Sequence, residues 1–307
     1  MYFYEIILIL IGTSIIAYLF GVFSPLLANE FLPKSLGIDL QPTVSAFYRV
    51  FIGSIFLGVI VALNYKRYAD KFLINRYLIL AGIFFALDLW FWHRSILYIG
   101  PGMSTLIANF QIFIIPLISY FIFNLVPNRY QILAIFLGAF GLYLTLGYGG
   151  SFGSENIRLG LIFGILTAFA YSAYILSLKK NDLEDSARIS PVISLLCISI
   201  ISAIILFIVM KFEGESMAIN SAQNLFSMLA YGIISHVFGW YMIILGLKAI
   251  TATTAGIILI SQPIFSLIWE YLIFSRVTNS REIIGISVVI IAMIICVSSE
   301  KILQSKD

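Results

Sequence analysis

This sequence is poor in charge, and that shortage sets the class of protein. Only 11% of its 307 residues are Asp, Glu, Lys or Arg, whereas 61% are hydrophobic. A water-soluble domain of this length could not cover so much apolar surface with so few charges, so its solvent must be largely hydrocarbon. The net charge of +3 is small, and we expect no nucleic-acid partner.

Cysteine is also scarce, and the familiar motifs of catalysis are absent. The two cysteines, Cys197 and Cys296, each lie within an apolar run, so neither a disulfide framework nor a metal-ligand spacing is present. The sequence has no phosphate-binding P-loop, no Gly-x-Ser-x-Gly elbow and no His-Glu-x-x-His pair. We therefore expect no catalytic residue, no cofactor and no metal, and nothing supports ATP-driven pumping.

The amino terminus lacks the basic start of a removable signal peptide, and its apolar run is long enough to be a first membrane helix. Breaks in hydrophobicity delimit ten such segments, each close to the ~20 residues that cross a bilayer as a helix. They are residues 5–27, 43–63, 76–98, 101–123, 129–147, 157–179, 190–211, 225–247, 252–274 and 281–299. The sequence predicts an all-α integral membrane protein, and we number these segments spans 1 to 10.

Basic residues are distributed unevenly between the two sides of the predicted membrane. With the amino terminus inside, the outer loops hold Lys34, Arg158, Lys211 and Lys248. The inner loops hold Lys66, Arg67, Lys71, Arg76, Arg129, Lys179, Lys180, Arg188, Arg276, Arg281, Lys301 and Lys306. Because cytoplasmic loops carry an excess of Lys and Arg, we predict that both termini are cytoplasmic, and we expect a bacterial inner (plasma) membrane.

Two stretches about 150 residues apart indicate an internal repeat. Residues 120–135, YFIFNLVPNRYQILAI, match residues 271–286, YLIFSRVTNSREIIGI, at seven positions with a constant shift of 151. We therefore divide the ten predicted transmembrane helices into two five-helix halves, residues 1–150 and 151–307. Because five is odd, the halves enter the membrane in opposite directions, and such inverted repeats are typical of secondary transporters.

Several segments resemble a known transporter family. SAFYRVFIGSIFL, at residues 45–57, resembles the AFxRF start of the second helix in the drug/metabolite transporter superfamily. Residues 95–123 and 246–274 resemble its third-to-fourth and eighth-to-ninth helical turns, each followed by a helix with a central proline. The usual acidic GE after the fourth and ninth helices is replaced by FNLVPN and FSRVTN. The chain most resembles the ten-helix EamA-type branch of that superfamily.

This resemblance implies secondary transport of small organic metabolites by alternating access. We expect an exporter of amino-acid-like or amine-containing compounds, and an importer or exchanger in the same fold is the alternative. A membrane-embedded enzyme and a non-transporting membrane scaffold are the alternatives from other classes. The expected partners are a small-molecule substrate and the lipid bilayer, while protons as the coupling ion and a homodimer are left open.

Four polar side chains fall in one layer near the middle of the predicted membrane. At ~1.5 Å per residue, each lies about 15–18 Å from one end of its span. They are Asp88 in span 3, Gln111 in span 4, His236 in span 8 and Gln262 in span 9. Polar groups at this depth face the protein interior or a wet cavity, so we predict that they bind substrate. The alternative is a clasp that only joins helices, such as Asp88 with Arg49.

Aromatic and charged neighbours extend this candidate site. Trp92, one turn from the carboxylate of span 3, and Trp240 in span 8 suit a cation or zwitterion, although packing in the core is the alternative. Arg49 and Arg94 lie nearer the outer ends of their spans, and Glu270 lies near the inner end of span 9. We predict gating or ion-pair roles for these three charged residues.

Overall fold

The structure is a computed structural model, and it describes residues 40–68, 75–123, 126–146, 155–185, 190–239, 263–264, 267–268, 271 and 278–304. Within these residues the regular structure is helical, without a strand. The helices are α1 (Pro42–Leu63), α2 (Tyr65–Tyr68), α3 (Arg76–Ala108), α4 (Gln111–Phe123), α5 (Arg129–Leu146), α6 (Glu155–Asp185), α7 (Pro191–Glu213), α8 (Ala222–Ala230) and α9 (Ser280–Gln304). A π-helical segment, Tyr231–Gly239, continues α8. Span 1 and most of span 9 lie outside the described residues.

Five of the described helices are long and apolar enough to cross a membrane. Their apolar stretches are Pro42–Leu63, Arg76–Ala108, Glu155–Leu178, Pro191–Glu213 and Ser280–Ser299. Shorter apolar stretches are Gln111–Phe121 and Arg129–Thr145. Large apolar side chains stand on the outer face of α5, where Phe136 is 70% exposed and Phe140 is also exposed. Such a surface would promote aggregation in water, whereas it matches the hydrocarbon around an integral membrane protein.

Three of the described helices match predicted spans closely. Helices α1, α5 and α7 begin and end within two residues of spans 2, 5 and 7. The sequence Gly-Pro-Gly divides α3, because Gly100 has φ 80° and ψ 166°, a backbone region that glycine alone enters without strain. Pro101 then starts the next helical run, a position that its fixed φ favours. α3 therefore contains span 3 and the beginning of span 4, and α4 contains the rest of span 4.

The proline of α4 leaves a carbonyl that another helix satisfies. Pro116 lies inside α4 and has no N–H, so the carbonyl of Ile112 loses its helical partner. Cys296 of α9 donates its Sγ–H to that oxygen at 3.4 Å. Helix α4 continues through Pro116. The break in span 4 lies before this proline, at residues 109–110.

Two helices at corresponding positions of the repeat begin with the same cap. Asn128 Oδ1 accepts a hydrogen bond from Gln131 N at 2.9 Å before α5, and Asn279 Oδ1 accepts one from Glu282 N at 2.8 Å before α9. Both pairs are related by the shift of 151 residues. An asparagine before a helix satisfies an N–H group that has no partner within the first turn. The matching residues therefore have matching structural roles.

Three helix pairs form the frame of the protein: α3 packs along α6, α5 along α9, and α1 along α7. The contact between α5 and α9 is close, since a Cβ atom on Gly285 would lie 2.7 Å from the carbonyl oxygen of Gly141. One apolar core surrounds Phe85 and involves α1, α3 and α7. A second core surrounds Phe113 and involves α4, α5 and α9. The polar residues described next lie against the first core.

Candidate functional site

Buried polar side chains from several helices meet beside the middle of α3. Arg49 of α1 is 2% exposed and Asp88 of α3 is 8% exposed. His93 of α3 and both Tyr231 and His236 of the π-helical segment are fully buried, and we call these five residues the polar layer. Charged and polar groups at such positions are costly unless they are paired or hydrated. Their partners therefore decide what each of them can do.

A chain of hydrogen bonds orients Arg49. Arg49 Nη1 donates to Tyr231 Oη at 3.3 Å, and its Cζ lies 5.0 Å from the centroid of the same ring. Tyr231 Oη lies 3.2 Å from His93 Nε2, and His93 Nδ1 lies 2.7 Å from the carbonyl oxygen of Leu89. Because a carbonyl only accepts, a neutral His93 with its proton on Nδ1 satisfies every contact, with Nε2 accepting from Tyr231.

The π-helical winding brings two polar rings to one side of their segment. The hydrogen bonds of a π-helix run from residue i to i+5, so Tyr231 and His236 face the same side of the segment, whereas an α-helix would turn them about 140° apart. His236 Nε2 lies 2.8 Å from Ser199 Oγ. Since Ser199 donates to Leu195 O at 2.6 Å, its oxygen accepts from His236. His236 Nδ1 is buried and has no hydrogen-bond partner in the described part of the chain.

Asp88 is the buried carboxylate of this layer. It interacts electrostatically with Arg49 of α1 and with Tyr171 and Tyr174 of α6. No hydrogen bond or ion pair joins it to another described residue, so the direct clasp between Asp88 and Arg49 is not formed here. Gln111 also lies close enough to Tyr171 to influence its hydroxyl, and the buried Oε1 of Gln111 has no hydrogen-bond partner among the described residues. The structure thus brings Asp88 and Gln111 together through Tyr171.

Trp92 packs in the apolar core. Trp92 is 4% exposed within the first apolar core, and its ring meets the ring of His93 edge-on at 5.0 Å between centroids. It therefore packs against the hydrogen-bonded chain that orients Arg49. Trp240, Gln262 and Glu270 lie outside the residues that the structure describes.

Arg94 belongs to a second polar cluster, at the end of the bundle where α1 begins. It forms an ion pair with Glu213, the last residue of α7, and its Nη1 donates to Thr43 Oγ1 at 3.2 Å. Glu213 also accepts from Thr43 Oγ1 at 2.6 Å and from Trp90 Nε1 at 3.0 Å. Glu213 was not predicted as a site residue, because no local pattern links it to an arginine 119 residues away.

The segment after α7 folds across the start of α1. Glu215 accepts a hydrogen bond from Val44 N at 2.9 Å, and Tyr48 Oη donates to Met217 O at 2.8 Å. Burial raises the pKa of Glu215 above its usual value, and the bond from Val44 opposes part of that rise because it stabilises the carboxylate. These contacts hold the α7 end against the first turns of α1.

An apolar groove of about 360 Å³ lies between α4, α5 and α6. Phe110, Tyr143 and Phe169 are part of its lining, which has almost no polar surface. Tyr143 and Phe169 are themselves exposed. The groove therefore belongs to the lipid-facing surface and lies apart from the polar layer around Asp88.

Known proteins resemble this chain in sequence and in fold. Residues 158–298 match the sequence model of the EamA-like transporter family. One solved structure, described only as "Crystal structure of protein", has a TM-score of 0.60 and 15% identity, covering 93% of this chain and 96% of that chain. At this identity the likeness concerns the fold alone. No curated protein matches the sequence.

Proposed function

We propose that this chain, whose residues 158–298 match the EamA-like transporter family of the drug/metabolite transporter superfamily, is a secondary transporter that works by alternating access. Members of this family carry small molecules across membranes and are not enzymes, which disfavours the embedded-enzyme alternative. The proposed cargo is an amino-acid-like or amine-containing compound, and the proposed direction is export.

The observation that carries this proposal is the state of Asp88. It is a carboxylate buried halfway along α3, without a hydrogen bond or ion pair to any described residue. A charge at the bilayer centre costs roughly 3 kcal/mol or more, so Asp88 needs a bound cation, a proton or water. A substrate ammonium would meet that need, and the Oε1 atom of Gln111 would be a second acceptor nearby. Exchange of the ammonium for a proton would make protons the coupling ion.

Arg49 supports a substrate that also carries a negative group. The hydrogen bonds through Tyr231 to His93 orient its guanidinium within the same layer as Asp88. A guanidinium is well suited to a planar carboxylate, because it presents several N–H groups in a fixed fork. A layer that holds both an oriented arginine and a buried carboxylate suits a zwitterion.

The proposed architecture is ten transmembrane helices in two inverted five-helix halves, residues 1–150 and 151–307. The equivalent caps Asn128 and Asn279 support it. Helix α1 contacts α7, and α5 contacts α9, and each is a pair of helices that the repeat relates. Helices of both halves contribute residues to the polar layer. An inverted-repeat transporter holds its substrate at the interface between its two halves. We propose the orientation with both termini cytoplasmic, in a bacterial inner membrane.

The test first identifies a ligand and then removes the charge of Asp88. A thermal-shift screen against amines and amino acids would find a ligand, since a compound at 100 times its Kd stabilises by about 2.7 kcal/mol. Counterflow of that ligand in proteoliposomes is then compared for the parent and Asp88→Asn from about pH 5 to pH 8. We expect Asp88→Asn to fold with a similar melting temperature and to lose transport or its pH dependence.

Glu282→Gln is the matched control for Asp88→Asn. Glu282 is also 8% exposed, but it lies in the first turn of α9, away from the polar layer. Transport should survive this change. Counterflow of Asp88→Asn that equals the parent at every pH would reject the role of Asp88. If Asp88→Asn instead fails to fold, and Arg49→Leu with Asp88→Leu restores stability, the two residues act as a clasp.

A further inference from the structure

Four side chains form a closed arrangement at the end of the bundle where α1 begins. Glu213 pairs with Arg94 through one carboxylate oxygen and accepts from Thr43 Oγ1 through the other, at 2.6 Å. Arg94 Nη1 donates to the same threonine oxygen at 3.2 Å. Trp90 donates to Glu213 at 3.0 Å, and its ring lies 4.6 Å from Arg94 Cζ. We call Thr43, Trp90, Arg94 and Glu213 the latch.

The latch lies outward of the buried polar layer on two helices at once. Arg94 comes six residues after Asp88 on α3, and Thr43 comes six residues before Arg49 on α1. Arg94 and Thr43 are therefore each about 9 Å along their helices from Asp88 and Arg49, respectively. Ala46 lies between Thr43 and Arg49 on the same face of α1, since residues three apart are neighbours on a helix, and it is fully buried. The latch covers the polar layer at this end.

The latch joins elements that alternating access has to separate. Thr43, Trp90 and Arg94 belong to the proposed first half, whereas Glu213 belongs to the second. The segment after Glu213 reinforces the junction through Glu215, which accepts from the backbone of α1. Neither charged side chain is fully enclosed: Arg94 is 17% exposed and Glu213 is 24% exposed. Ion pairs that water can reach are weak and salt-sensitive, so this pair is suited to breaking and re-forming.

We propose that the latch is a gate, which closes this end of the bundle over the polar layer and opens when the two halves move apart. This inference rests on the proposed transport function. It assigns to Glu213 a role as the partner of Arg94, and it assigns to Trp90 and Thr43 the task of holding both charges in place. In the present structure the gate is closed.

The experiment measures access past the latch with a thiol reagent. A single reporter, Ala46→Cys, is made in a background of Cys197→Ser and Cys296→Ser and is placed in lipid nanodiscs. The probe is a charged methanethiosulfonate. Arg94→Glu and Glu213→Arg, made separately, bring like charges together and should raise the labelling rate about fivefold or more. The double variant restores an ion pair and should label at nearly the rate of the reporter alone.

Lys211→Glu is the control for charge at this end. Lys211 is exposed in the last turn of α7, and its Nζ lies 5.5 Å from the ring centroid of Phe207, outside the latch. The reporter protein that carries Lys211→Glu should be labelled at the same rate as the reporter alone. Melting temperatures identify any variant that unfolds, and Glu213→Gln is then used in its place. We expect Glu213→Gln to raise the labelling rate by a smaller factor, because the amide keeps hydrogen bonds but loses the charge.

Two results would overturn the gate. One is a labelling rate that neither single variant nor Glu213→Gln changes. The other is a double variant that labels as fast as the single variants, because the rise would then not depend on the pairing of the two charges. Labelling needs no substrate, so a failure of counterflow in the parent would count against the transport function and leave this measurement of access unaffected.

Discussion

At the scale of single residues, hydroxyl groups connect the buried polar side chains of different helices. A hydroxyl both donates and accepts, so it can join two groups whose roles are fixed. Tyr231 accepts from Arg49 and donates to His93. Ser199 accepts from a histidine ring while it donates to a carbonyl, and Thr43 accepts from an arginine while it donates to a carboxylate. These three hydroxyl groups thus satisfy polar groups across helix contacts, where no water is available.

The role of Gln111 is tested by its removal. Gln111→Ala should weaken the binding of the screened ligand about five- to tenfold, since one hydrogen bond contributes about 1 kcal/mol and more when it is charged. The folded yield should stay close to that of the parent. Binding is measured by calorimetric titration in detergent. Unchanged affinity would mean that Gln111 does not bind the ligand.

Gln131→Ala is the matched control for this glutamine. Gln131 is also buried, but its Oε1 accepts from Asn128 N at 2.9 Å and completes the cap of α5. Its loss should lower the melting temperature through about 1 kcal/mol of lost capping and leave ligand affinity unchanged. An effect of both variants on affinity would indicate a general loss of structure rather than a binding role for Gln111.

At the scale of helices, small residues set how closely the elements approach. In membranes, helices associate through close packing more than through the hydrophobic effect, and glycine allows the closest backbone contact. Gly141 and Gly285 do this between α5 and α9. Gly53 does it between α1 and the π-helical segment, where a Cβ atom would overlap the ring of His236. The helix that carries His236 can therefore lie directly against α1.

Gly285→Ala should destabilise the contact between α5 and α9. The added Cβ would lie 2.6 Å from Thr145 N and 2.7 Å from Gly141 O, which are backbone atoms that cannot move independently of their helix. Such overpacking costs about 1–3 kcal/mol, and the melting temperature of the purified protein should fall. Gly58→Ala on α1 is the control, because no atom lies within 4 Å of its added Cβ. Equal melting temperatures for the two variants would contradict this account of the helix contact.

At the scale of the whole molecule, the two ends of the bundle differ in character. One end is closed by the latch and by the segment after α7, with acidic groups bound to donors on α1 and α3. The opposite end carries basic side chains beside aromatic rings, with Arg76 Cζ 4.7 Å from the ring centroid of Tyr77 and Lys180 Nζ 5.9 Å from it. Basic residues are retained on the cytoplasmic side of membranes, and this supports the proposed orientation.

Thiol labelling of intact cells tests that orientation. Single cysteines in residues 64–75 or 180–189, in a cysteine-free background, should resist an impermeant reagent, because the proposed orientation places these basic loops in the cytoplasm. Phe212→Cys is the positive control, since Phe212 is exposed beside the latch at the opposite end. The reverse pattern, with ready labelling of the two loops and protection of Phe212→Cys, would invert the topology.

The amino-acid sequence by itself determined where several helices begin and end and which protein family the chain resembles. The length of an apolar run, the glycine at residue 100 and the asparagines before α5 and α9 act on their immediate neighbours, so their consequences follow from local sequence. The burial of Asp88 also followed, because a charge inside an apolar run of that length has to lie within the membrane.

Only the tertiary structure decided which side chains meet. Arg94 pairs with a glutamate 119 residues away, and His93 pairs with a tyrosine 138 residues away. Such partners depend on which helices pack together and on how each helix is rotated, and neither property is encoded in the local apolar pattern. The π-helical winding adds to this, because it changes which residues share a face: Tyr231 and His236 face the same side only when their segment departs from 3.6 residues per turn.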